Sequence, residues 1–118
     1  MTTRESLLAL KSTLVIESVT VDGLATPVYV RGLTGKERDG FEAACFVQRG
    51  KTRILNTDNI RAKLLVRAIC DQDGVRLFTD NEVDVLGDMP AAVLDELFTV
   101  AQKLSGLSST DVEELAGN

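Results

Sequence analysis

Between Pro90 and Leu104 the chain encodes a helix that is apolar over about half its circumference, and this segment constrains the fold more than any other. At 100° per residue, Ala91, Val93, Leu94, Leu97, Phe98, Val100, Ala101 and Leu104 fall on one arc of roughly 180°. Asp95, Glu96, Thr99, Gln102 and Lys103 occupy the opposite side. A helix lying on a single core needs an apolar arc nearer 100°. The surplus, chiefly Val93, Leu97, Val100 and Leu104, is surface for a second contact, with a partner or with another copy. Replacing Val93 and Val100 by Glu is expected to leave the fold intact and abolish that contact.

The remaining segments supply partners for this helix. Leu14–Val21 and Pro27–Arg31 are rich in β-branched residues around Asp22-Gly23, a hairpin signal. Val28 and Val30 share one face with Val19 and Val21, which helices should cover. Thr34 and Glu37 have the spacing of a capping box, and the helix they open is expected to reach about Gln48. Phe46 points away from the Phe41/Ala44/Cys45 face of that helix, which makes it a further candidate contact residue. Arg49–Asn56 reads as a polar, basic loop. A helix capped by Asn56 or Thr57 follows, with Ile60, Leu64, Leu65, Ala68 and Ile69 inward and Asn59, Lys63 and Arg67 outward. Asp71–Gly74 reads as a turn, since it lacks the spaced ligands of a calcium loop, and it leads into a short strand at Val75–Phe78. Thr79 and Glu82 form a second capping box, Gly87 closes a short acidic helix, and Ser105-Gly106 closes the Pro90 helix. Ser108 or Ser109 is expected to cap a last helix bearing Val112, Leu115 and Ala116. The whole reads as an α+β fold: a small antiparallel β-hairpin or sheet packed against several α-helices. It is one domain over 14–118, preceded by a flexible arm over 1–13 in which Met1–Ser12 reads as either frayed or a marginal helix.

Composition narrows the function. Among 118 residues there is no His, so base-assisted nucleophilic chemistry would fall to carboxylates or lysine. A catalytic carboxylate pair needs one member in an apolar site. Glu82, Asp84, Asp88, Asp95 and Glu96 instead lie at helix positions open to water. Cys45 and Cys70 sit inside apolar runs and read as small buried hydrophobes. The chain therefore reads as non-catalytic, with no metal and no cofactor. It shows neither a signal peptide nor a membrane span, which points to the cytoplasm. The net charge of −5 is polarised: Met1–Cys70 has 11 basic and 7 acidic residues, net +4, whereas Asp71–Asn118 has 2 and 11, net −9. Such polarity suits head-to-tail contact between copies. A competing reading is a small nucleic-acid-binding regulator using the basic 49–67 segment. The lack of interleaved aromatics, the acidic total and the absence of any nucleic-acid motif argue against it.

The string Val30-Arg-Gly-Leu-Thr-Gly-Lys-Glu-Arg-Asp-Gly-Phe-Glu42, then Asp73-Gly-Val-Arg-Leu-Phe-Thr-Asp80 and the Leu97–Ser108 helix end, resembles the tail assembly chaperones of long-tailed bacteriophages. The resemblance runs from about Leu14 to Asn118. It implies a small non-catalytic α+β protein that binds the tape-measure protein in the host cytoplasm. Such proteins keep its apolar helices soluble, help bring tail-tube protein to it and are absent from the mature virion; separately, the charge polarity of this chain points to self-association in several copies. In many phages a frameshift adds a second domain to some copies, and this chain looks like the short product.

Overall fold

A computed structural model of the chain describes residues 2–10 and 14–107. In chain order these residues form α1 (Thr3–Ala9), β1 (Ile16–Val19), β2 (Val28–Arg31), α2 (Gly35–Ala44), β3 (Phe46–Arg49), β4 (Thr52–Leu55), α3 (Ile60–Ala68), β5 (Ile69–Cys70), α4 (Val83–Gly87) and α5 (Ala91–Leu104). β1 and β2 make the expected antiparallel hairpin, with Val19 opposite Val28. β5 adds to the other edge of β2, giving a three-stranded antiparallel sheet in the order β1-β2-β5. The protein is an α+β domain with a second, two-stranded sheet formed by β3 and β4. The anticipated last helix lies outside the described residues.

The core is mainly aliphatic, with Phe41 and Phe98 as its buried aromatics among the described residues. α3 runs through its middle, packed by α2, α4 and α5, and every residue from Ala62 to Cys70 is buried. Lys63 and Arg67 therefore do not line a solvated outer face; they are 9% and 6% exposed. Burial is tolerable because each cation reaches backbone oxygen. Lys63 Nζ donates to the Asn56 carbonyl at 3.1 Å, and Arg67 Nη1 donates to the Lys63 carbonyl at 2.6 Å. α3 also starts later than Asn56 or Thr57: it opens at Ile60 after Asn59, which holds a left-handed conformation at φ 57° and makes no side-chain cap bond.

Other boundaries moved for identifiable reasons. α2 carries its capping box, with Glu37 N–H donating to Thr34 Oγ1 and Thr34 N–H to Glu37 Oε1, but it stops at Ala44. Phe46–Asn56 is then a hairpin rather than a helix end and loop. Its two-residue turn, Gly50-Lys51, needs a positive φ at the first position, and Gly50 supplies it at 62°. Val75–Phe78 is not a strand: only Arg76 bridges, to Cys70. The Asp71 turn before it forms as anticipated, with Asp71 Oδ1 accepting from the Asp73 and Val75 amides. The Thr79/Glu82 box opens a single 3-10 turn ahead of α4. α5 spans the expected residues and ends in a Schellman arrangement, the Leu107 and Gly106 amides donating to the Gln102 and Lys103 carbonyls.

Candidate functional site

Where the hairpin sheet meets the first half of α5, the two elements do not close on each other. A groove of about 730 Å³ lies between them, within the roughly 300–1,000 Å³ common for ligand sites. Its floor is Ile69 and Cys70 of β5 with Leu86, Leu94 and Leu97 from the helices, all buried. One wall is the 24–28 loop and strand start, the other the Leu77-Phe78 segment and Met89. Leu24, Leu77 and Met89 stand at its mouth 55%, 58% and 42% exposed. An exposed Leu alone is ordinary, but several converging on one concave apolar surface mark an interaction site. At one end the lining turns polar: Gln72 Nε2 donates to Tyr29 Oη at 2.9 Å, beside Asp71 and Asp73. Among the described residues, these two carboxylates are the only charged groups in the lining.

The exposed wall is held by an arginine cluster. Arg76 donates to the Val66 carbonyl from Nε at 3.2 Å and Nη2 at 2.9 Å, and Nη2 also reaches Asp80 Oδ1 at 2.6 Å. These bonds tie the Val75–Asp80 segment, and with it Leu77 and Phe78, to α3. Glu37 faces Arg76 at 4.0 Å and forms a bidentate pair with Arg31, at 2.9 and 2.7 Å. Burial raises the Glu37 carboxyl pKa, but the Arg31 hydrogen bonds, the Thr34 amide and the Arg31 charge pull it further the other way, so it lies below its ordinary 4.5. Asp80 is likewise held below 3.8, first by its bond to Arg76.

Of the residues singled out in the sequence, Val93 and Leu97 line the groove, Val93 half-buried in the wall and Leu97 buried in the floor. Val100 and Leu104 lie further along α5, half-buried against the core and outside the groove lining. Phe46 sits on the β3–β4 hairpin away from the groove, with the Arg53 guanidinium 4.4 Å from its ring centre. The basic segment does not form one face: Arg49, Lys51 and Arg53 are exposed on the hairpin, while Lys63 and Arg67 are interior. Cys45 and Cys70 are both buried, which pushes each thiol up from its ordinary pKa, away from the thiolate that nucleophilic cysteines need. Among the described residues no three His, Cys, Asp or Glu side chains gather as metal ligands, and no helix is long and apolar enough to cross a membrane. Sequence reading missed Leu24, Leu77, Phe78 and Met89. Leu24 and Met89 carried a signal as apolar residues beside turn glycine and proline, whereas Leu77 and Phe78 lay in a segment read as a strand.

No protein-family model matches the chain, and neither the curated proteins nor the solved structures compared with it gave a match.

Proposed function

We propose that this chain is a non-catalytic tail assembly chaperone that binds amphipathic helices of a phage tape-measure protein. The observation that carries the reading is the open groove: a preformed apolar concavity with Leu24, Leu77 and Met89 at its mouth and a polar rim at one end. Helix-in-groove recognition requires such a surface, and the contact is built from apolar side chains spaced along one helical face. The capping box, turn and helix end that carry the sequence resemblance support the same assignment. In this role the chain keeps the tape-measure helices soluble in the host cytoplasm, promotes assembly of tail-tube protein around them and leaves before the virion is complete. The net charge of −5 favours solubility of the loaded complex.

Co-expression with a tape-measure fragment that is insoluble alone tests the proposal. The wild-type chain should hold the fragment in the soluble fraction. Leu77→Glu/Met89→Glu should keep its own unfolding midpoint, because both side chains are exposed, yet lose the fragment to the pellet. Equal solubilisation by the double variant rejects the groove as the binding site.

A further inference from the structure

The N-terminal helix poses a separate question. α1 begins with a complete capping box: Glu5 N–H donates to Thr2 Oγ1 and Thr2 N–H to Glu5 Oε2, both at 3.1 Å. None of its residues is buried, and Leu7 and Leu8 are 61% and 46% exposed. A seven-residue helix is well below the length that is stable alone in water, so one that displays leucines is built to meet a surface. Leu7 and Leu10 lie three apart on one face, the spacing of a helix that enters an apolar groove. No α1 residue lines the groove of its own chain.

We infer that α1 of one copy docks in the groove of a second copy, so that each groove is capped by a neighbour until a client helix displaces it. The charges are complementary. Among the described residues the groove carries Asp71 and Asp73 and no basic lining residue, whereas residues 1–11 carry Arg4 and Lys11 against Glu5, a net charge of +1. The contact joins unlike surfaces, arm to groove, so it grows head to tail or closes by reciprocal exchange. This inference rests on the groove being a helix-binding site, the premise of the proposed function, and adds that the chain carries its own competitor.

Sedimentation equilibrium of the full chain tests it with an arm variant, Leu7→Glu/Leu10→Glu, and the groove variant, Leu77→Glu/Met89→Glu. Wild type should associate with rising concentration, and each variant should associate at least about tenfold more weakly. Mixing the two variants should give a 1:1 heterodimer, since one retains an intact groove and the other an intact arm. An arm variant that associates like wild type overturns the inference, as does failure of the mixture to pair. A monomeric wild type whose client affinity rises in the arm variant overturns it in favour of α1 folding back on its own groove. Binding of a tape-measure fragment to the arm variant separates the two ideas. Tight binding without self-association of the wild type rejects only the α1 cap, whereas wild-type self-association without fragment binding rejects only the client.

Discussion

Replacing Glu37 by Gln should cost more stability than any exposed charge in the molecule. The change keeps the side-chain volume and the capping-box geometry, so it isolates the charge. Arg31 is 6% exposed, its Nε is buried without a partner among the described residues, and its two terminal nitrogens rest on Glu37. Removing one member of a buried pair typically costs about 3–5 kcal/mol, because the other charge stays behind. Here the amide oxygen that replaces the carboxylate can still accept one bond, and the Gly32 carbonyl still accepts from Arg31 Nη1 at 3.1 Å. Those two contacts bring the expected loss to about 2–3 kcal/mol. For a chain of this length that is a drop of about 10 °C in unfolding midpoint. Urea unfolding followed by circular dichroism suits a protein with no Trp and one Tyr. Arg38→Ala is the internal control: its pair with Glu42 is exposed on both sides and should be worth under about 0.5 kcal/mol. If the two variants unfold within about 0.5 kcal/mol of each other, the buried arginine cluster does not support the groove wall as described.

Acid should act through the same groups. Glu37 and Asp80 have folded-state values below their ordinary 4.5 and 3.8, so their stabilisation is complete above those values and is lost as pH falls through the lower folded ones. The urea midpoint should be flat from about pH 7 to 5 and fall below about pH 4.5. The fall should be shallower in Glu37→Gln, and an unchanged slope would remove Glu37 from the account. Gly32→Ala should lose about 1–3 kcal/mol, since a Cβ there would stand 2.6 Å from the backbone oxygen of Leu104 and drive the end of α5 off β2. A wild-type thermal midpoint in that variant would show that the contact relaxes freely. Val93→Glu should weaken client binding and Val100→Glu should not, at some loss of stability in each, because both pack against the core but only Val93 lines the groove. Client binding weakened equally in the two variants would place both residues in ordinary core.

Features set by a few neighbouring residues were legible in the sequence. The Thr34/Glu37 and Thr79/Glu82 boxes, the Asp71–Gly74 turn, Pro90 opening α5 and Ser105-Gly106 closing it each depend on side chains within one turn of each other. What could not be read depends on distant chain. Lys63 and Arg67 have the spacing of a solvated stripe, and local spacing carries no sign that α2 would cover it and that carbonyls of Asn56 and Gly40 would receive the cations. The 41–48 segment satisfies a helical period through Phe41, Ala44, Cys45 and Gln48. It breaks at Cys45 because Phe46 and Val47 pair with Leu55 and Ile54 around Gly50. Two of the three α5 residues in the groove lining, Val93 and Leu97, were visible as surplus apolar arc. The groove's other walls are assembled from three further segments that share no periodicity.

The central claim is that the groove between the sheet and α5 receives a helix from another polypeptide. Titrating an isotope-labelled chain with an amphipathic tape-measure segment, and mapping amide and methyl shifts, tests this residue by residue. Saturable shifts are expected at Leu24, Ile69, Leu77, Met89, Val93 and Leu94. Shifts confined to the Phe46–Leu55 hairpin, or none at a millimolar excess of the segment, would contradict it.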